Sequence, residues 1–340
     1  MELFRHATMY LPRKLWLLRV NKQTANLKTR GRKVIVILSS DTEFDPPSER
    51  GTWGRRSRVM LLDGLPRFLD VCDNFQISAT LFCEGRLVDD LPDLFRELAG
   101  RHEIGCHSFS HEWLGIRPPG IWIPHREELA VLRNDQKMRV LEQAIDCILR
   151  ATGKKPVSFK APFNSIDHPS TLLLLEKAGF ETDSSLPCYD NRSFTHPFRP
   201  APPRHVSARH LWSEGTMRLI EVPFMIRPHP LLLHPFDETL QRIVKTALKS
   251  TDIHCRIDYL SGREFSFVHV TSHPWEFSGV RPWGRGKANA EYLTRYLSQL
   301  AAFYDVEFLT VGEFARRWEN EYCPIHSRQE TLLPRSARLR

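Results

Sequence analysis

The sequence predicts an α/β fold built on a parallel sheet or barrel. Short apolar runs of strand type alternate with segments of helical periodicity through most of the chain, the pattern of parallel strands joined by crossover helices. Unusual polar residues sit just after several of those runs: Asp41, Glu43 and Asp45, then His107 and His111, then Lys160, then His273. In a barrel of parallel strands such ends converge on one face, where active sites lie. With 340 residues, 41% of them hydrophobic, the chain can bury a core of that size.

The elements follow in order. Val34-Ile-Val-Ile-Leu38 is a buried-strand run ending in the polar cluster from Ser39 to Asp45. Residues 58–73 have helical periodicity and Ile77 to Phe82 reads as a second strand. A short helix over 89–99 precedes a strand near Glu103-Ile-Gly105. A long amphipathic helix is expected from about Glu127 to Leu149, stopped by Gly153. Then come a strand at Val157–Lys160, a helix at Ser170–Ala178, and later strands at Leu219–Val222, Phe265–Thr271 and Val306–Leu309. Helices are expected over 237–249, 287–303 and 312–319, and the Pro-rich stretch 187–204 reads as a surface loop. No internal repeat is present, and no apolar run approaches the roughly 20 residues that cross a bilayer.

Two clusters point to a metal. In Ser40-Asp-Thr-Glu-Phe-Asp45, a carboxylate-rich turn after a strand can supply a metal ligand, a general base or both; capping aspartates in a solvated loop would look the same. In His102-Glu-Ile-Gly-Cys-His-Ser-Phe-Ser-His111, a helical turn would put His107 and His111 on one side. That spacing is weak alone, because 15 histidines in 340 positions give about 0.7 such pairs by chance. His269 and His273 form a second pair, but in a strand they lie roughly 13 Å apart, too far for one metal.

Together the segments resemble the polysaccharide deacetylases of the NodB-homology, carbohydrate esterase 4-like family, in the variant opening with Asp-x-Glu. Asp41-Thr-Glu43 matches that opening. Ser78-Ala-Thr-Leu-Phe-Cys-Glu-Gly85 is similar to the strand and loop that follow. Glu103-Ile-Gly-Cys-His-Ser-Phe-Ser-His111 matches the metal-binding H-[ST]-x-x-H motif. Phe159-Lys-Ala-Pro-Phe-Asn-Ser-Ile-Asp167 resembles the R-x-P-[YF] motif, and Thr271-Ser-His-Pro-Trp-Glu276 the late histidine motif. The matches run in family order over roughly residues 33–320.

The resemblance implies a distorted (β/α) barrel of the glycoside hydrolase/deacetylase type and one divalent metal ion, zinc first among the candidates, with no organic cofactor. Carried over by position, His107 and His111 are metal ligands, Glu43 the third ligand, Asp41 the general base and His273 the general acid. Asp45 as a participant, or an exchange of Asp41 and Glu43, stays open, because the common form of the family has two adjacent aspartates where Thr42 intervenes here. Lys160 stands where the family has an arginine that holds the catalytic carboxylate; lysine brings the charge without the bidentate fork. Asp183 is a second supporting carboxylate or a turn residue. Trp113, Trp212 and Trp275 are candidates for stacking on a sugar ring, or core packing. The implied reaction is removal of an N-acyl group, N-acetyl first, from an amino sugar in a glycan or glycan precursor. The alternatives are hydrolysis of a cyclic amide, as in allantoinase, and carbohydrate binding without turnover.

Charge and cysteine usage set the remaining expectations. Residues 1–33 carry nine Lys/Arg against Glu2 alone, which accounts for the whole net charge of +8 and leaves 39 basic and 39 acidic residues elsewhere. The chain therefore divides into a basic extension over 1–32, a catalytic barrel over 33–322 and a polar basic tail over 323–340. A balanced body without a recognition motif argues against nucleic-acid binding. The arm suits a peripheral contact with an anionic membrane surface. Its Leu11–Val20 stretch lacks the h-region and cleavage site of a secretory signal. Seven scattered cysteines without a CxxC pair read as idle thiols of a reducing compartment. The location expected is the cytoplasm, at the inner membrane face, and the substrate a nucleotide- or lipid-linked precursor.

Overall fold

The computed structural model describes residues 33–45, 57–115, 132–166, 170–186, 217–224, 255–258, 264–280, 284 and 286–322. The basic arm, the C-terminal tail, the Pro-rich stretch 187–204, the helix expected over 237–249 and Trp212 lie outside them.

Among the described residues, nine strands form one curled sheet: β1 (Lys33–Thr42), β2 (Thr80–Cys83), β3 (Glu103–Cys106), β4 (Ser158–Phe159), β5 (Thr182–Asp183), β6 (Ile220–Glu221), β7 (Cys255–Asp258), β8 (Glu264–Ser272) and β9 (Asp305–Phe308). Their order is β6-β5-β4-β3-β2-β1-β8-β7, with β9 against the first half of β1. Every pairing is parallel except β7 with β8. The helices are α1 (Val59–Asn74), α2 (Gly85–Asp90), α3 (Pro92–Leu98), α4 (Asn134–Thr152), α5 (Ser170–Ala178), α6 (Lys287–Phe303) and α7 (Val311–Tyr322). This is the distorted (β/α) barrel.

Period-two alternation sorts β1 into two cores. Val34, Val36 and Leu38 point outward and pack with Leu61, Leu65 and Phe68 of α1. Ile35 and Ile37 point inward with Phe82, Ile220 and Val222, and α7 closes that interior with Val311, Phe314, Ala315 and Trp318. Farther along β1 the inward positions become Ser39 and Asp41, so the same alternation that builds the inner core at one end delivers polar groups at the other.

Element limits differ from expectation where a local signal overrides periodicity. The helix expected over 89–99 divides into α2 and α3 at Leu91, because Pro92 starts a new helix at its first turn. The long helix begins at Asn134, where the Gln136 side chain accepts the Arg133 backbone N–H, and ends at Gly153 with φ 72°. β5 and β7 had no clear sequence signal. Cys72, Cys83, Cys106 and Cys147 are free and buried. Among the described residues no helix is long and apolar enough to cross a membrane.

Candidate active site

Strand alternation explains the opening motif. Asp41 and Glu43, two apart, face the interior, while Thr42 between them faces out in register with Cys83. Asp45 leaves the site altogether. Its carboxylate accepts Leu61 N–H at 2.8 Å and Met60 N–H at 3.0 Å, and so caps α1. The capping role weighed for this cluster thus belongs to Asp45, and Asp45 is not part of the metal-ligating group.

His107 and His111 follow β3 in a tight turn, not in the helical turn expected. Ser108 and His111 have φ of 63° each, left-handed values that no α-helix contains. The reversal still brings the two rings within 5.2 Å of each other. Ligand atoms of Glu43, His107 and His111 all lie within 4.8 Å of one another. His111 Nε2 is 2.6 Å and His107 Nε2 3.5 Å from Glu43 Oε2. On the far side of its ring, His107 Nδ1 is 2.7 Å from the Lys160 carbonyl oxygen. A carbonyl only accepts, so Nδ1–H donates to it, and Nε2 is the ring nitrogen turned toward the carboxylate. Burial alone would raise the Glu43 carboxyl, but His111, His107 and His273 hold it well below its ordinary value. Two imidazoles and a carboxylate are a fitting donor set for zinc.

Beside this group lies a buried ion pair. Lys160 Nζ donates to Asp41 Oδ1 at 2.6 Å and Oδ2 at 2.7 Å, and to Thr271 Oγ1 at 2.9 Å. The ammonium therefore reaches both carboxylate oxygens, which the lack of an arginine fork had put in question. It also sits 4.5 Å from the centre of the Phe224 ring. Burial would raise the Asp41 carboxyl, yet the charges of Lys160, His107 and His273 bring it down to about 2. One layer deeper, His269 lies 2.9 Å from Ser39 Oγ, and burial lowers it to about 3, which keeps it neutral. It is separated from His273 by the strand, as expected.

His273 completes the site from the turn after β8. Its Nδ1 is 3.0 Å from Glu276 Oε1, and its Nε2 is 3.7 Å from Asp41 Oδ2 and 3.6 Å from Glu43 Oε1. Trp275 stacks on the imidazole with ring centres 4.5 Å apart and donates its indole N–H to Glu43 Oε1 at 3.3 Å. Trp113 instead stacks on Phe163, which meets His111 edge-on. The turn is fastened to α1: Asp63 accepts Ser278 Oγ and Gly279 N–H, and Phe68 packs on Phe277. Gly64 lies so close that a Cβ there would come 1.9 Å from the Pro274 carbonyl oxygen. One helix thus supports both the Glu43 loop, through Asp45, and the His273 turn.

The structure brings Asp41, Glu43, His107, His111, Lys160 and His273 together; Asp183 lies in β5, pointing to the outer face. Sequence reasoning missed Thr271 and Glu276. Thr271 could have been found by counting back two residues along the strand from His273. It also missed Glu84, which accepts Phe44 N–H at 2.9 Å and is pushed up by burial to about 8.

Comparison with known proteins fits this geometry. Residues 60–182 match the model of the polysaccharide deacetylase family. That segment is a polysaccharide deacetylase domain of the NodB type. It contains His107, His111 and Lys160, and the fold carries Asp41, Glu43 and His273 to it. The chain is 30% identical over 172 residues to a peptidoglycan deacetylase-like protein of Gibberella zeae, covering 47% of this chain and 46% of that protein. It is 28% identical over 124 residues to a peptidoglycan deacetylase of Helicobacter pylori, covering 36% and 37%. The chain thus spans less than half the length of these curated relatives. Among solved structures, a polysaccharide deacetylase of Mycobacterium smegmatis superposes with TM-score 0.52 at 21% identity, covering 93% of this chain and 96% of that one. A probable polysaccharide deacetylase of Pseudomonas aeruginosa PAO1 gives 0.56 at 16%, covering 88% and 96%. An allantoinase also gives 0.56 at 15%, covering 87% and 93%, so the fold alone does not choose between deacetylase and ring hydrolase.

Proposed function

We propose that the chain is a metal-dependent hydrolase that removes the N-acetyl group from an amino sugar of a glycan or glycan precursor. The observation that carries this reading is the convergence of Glu43, His107 and His111 within 4.8 Å, with Asp41 and His273 beside them. These three residues would hold the ion, and zinc suits their donor atoms. When bound, it supplies Lewis acidity that activates water near neutral pH and stabilises negative charge on the acyl oxygen.

The chain's own groups do the rest. Asp41, anionic at every working pH, accepts the hydrogen bond and then the proton of the attacking water. Lys160 and Thr271 fix its two oxygens so that the carboxylate need not reorganise. Water oxygen bonds to the acyl carbon, the C–N bond breaks, and His273 Nε2–H gives its proton to the departing amine. Glu276 accepts Nδ1–H of the same ring and keeps Nε2 turned toward the site. Trp275, already stacked on His273, would form one wall for the sugar.

The test is acetate release from N-acetylglucosamine oligomers by zinc-reconstituted protein, beside the variant His107→Ala. Release in the native protein that vanishes in the variant is expected. Equal turnover in both would sink the metal-site reading, and turnover of ureide rings alone would make the chain a cyclic-amide hydrolase.

A further inference from the structure

Lys160 and Ala161 share one planar peptide group, and both of its polar atoms are engaged. The Lys160 carbonyl accepts His107 Nδ1–H at 2.7 Å, and the Ala161 N–H donates to Ser185 Oγ at 2.8 Å. The Ser185 hydroxyl in turn donates to Asp183 Oδ1 at 2.6 Å. Asp183 is in register with Glu221 on the neighbouring strand β6. Burial raises the Asp183 carboxyl to about 6. Glu221 Oε1 is anchored by Leu186 N–H at 3.0 Å. Ser185, Asp183 and Glu221 are all buried, and the carboxyl pair lies on the outer face of the sheet, away from the reacting groups.

We propose that Ser185, backed by the Asp183 carboxylate, is a positioning residue that sets the orientation and tautomer of His107 through the Lys160–Ala161 peptide plane. The proposal rests on reading His107 as a metal ligand. An amide whose N–H is taken by a good acceptor becomes a better acceptor at its own carbonyl, because hydrogen bonds in a chain polarise one another. A stronger Nδ1–H···O=C bond holds the imidazole in its ligating tautomer and makes Nε2 the better donor. Without Ser185 Oγ the peptide loses its anchor on one side and can tilt about the adjacent backbone bonds. His107 then tilts with it. Lys160 is thus used twice: its ammonium fixes Asp41 while its carbonyl, steadied by Ser185, fixes His107.

The experiment compares wild type with Ser185→Ala, Ser185→Thr and Asp183→Asn by two readouts. One is zinc affinity by chelator competition; the other is the His107 Nδ1–H resonance in metal-free, ¹⁵N-histidine-labelled protein. Ser185→Ala is expected to weaken zinc binding about 3- to 10-fold, below the 10–100-fold typical of groups bonded directly to a ligand. Its Nδ1–H resonance should move upfield and exchange faster with water. Ser185→Thr, which keeps the hydroxyl, should restore both, a rescue that mere loss of packing would not show. Asp183→Asn keeps the shape and should shift the resonance in the same direction by less, which tests the relay even if Ser185→Ala does not fold. Unchanged affinity and resonance in the folded Ser185→Ala protein, or in Asp183→Asn if the alanine variant does not fold, would overturn the proposal. Failure of wild type to bind zinc would instead defeat the metal reading, while the resonance would still decide the relay.

Discussion

The two ends of the barrel interior each contain a carboxylate among polar partners, and they are built in opposite ways. At the end closed by α7, Glu103 accepts Gly312 N–H at 2.9 Å, the Thr80 hydroxyl at 3.4 Å and the Ser158 hydroxyl. Thr80 Oγ1 also accepts Val311 N–H, so this cluster caps the first turn of α7 with donors the chain itself provides. At the open end, Glu43 receives one indole N–H and otherwise faces imidazole nitrogens. A carboxylate surrounded by N–H and O–H groups is finished by folding. One set among imidazole nitrogens has the donor atoms that a cation would use.

That contrast can be broken most directly at Lys160. Lys160→Met would leave Asp41 buried without its counter-charge, and urea unfolding at pH 7 should show a loss of about 3–5 kcal/mol. Asp41, lowered to about 2 in the native protein, contributes stability that is present above its ordinary value of 3.8 and lost as the pH falls through about 2. In the variant that acid-side loss should disappear; a variant as stable as wild type with the same acid profile would show that the pair is not the anchor assumed here.

A smaller effect is expected where α1 backs the open end. Gly64→Ala forces a methyl against the Pro274 carbonyl, and should cost about 1–3 kcal/mol in thermal unfolding. It should also lower acetate release while zinc affinity holds, since the turn bearing His273 moves but the ligand group does not. Glu103→Gln sharpens the comparison from the closed end. Loss of charge-assisted bonds should cost about 1–2 kcal/mol with zinc affinity unchanged. A change in zinc affinity there would mean that the two ends are coupled.

The smallest expected effect is a pH slope. Asp183 is raised, so the folded state binds more protons than the unfolded chain between about pH 4 and 6, and stability should fall as pH rises across that window. Asp183→Asn should flatten that segment of a stability–pH curve. An unaltered slope would place the proton elsewhere.

The open end was far more legible in the sequence than its support. Asp41, Glu43, His107, His111 and His273 stand at strand ends, and both that placement and the resemblance single them out. The fold class followed from the same alternation of strand and helix patterns. What could not be read was anything that depends on which strands become neighbours. Ser185, Asp183 and Glu221 meet only because β4, β5 and β6 pair, and two-residue strands leave almost no periodic signal. The histidine turn was misread as helical because two left-handed residues, Ser108 and His111, carry no glycine to announce them. Asp45 was separable from Asp41 and Glu43 only once α1 was seen to begin against it.

The pairing of β1 with β8 has a consequence for how the protein comes to its working form. Asp41 and Thr271 are 230 residues apart in sequence, as are Ser39 and His269, and Lys160 is 119 from Asp41. Bringing such distant segments together carries a loop-closure penalty early in folding, and chains dominated by non-local pairing fold slowly. The late histidine can join only after β8 has docked beside β1, whereas Glu43, His107 and His111 come from the ends of β1 and β3, with the Lys160 carbonyl after β4 steadying His107. The Glu43, His107 and His111 group should therefore assemble before His273 joins it during refolding.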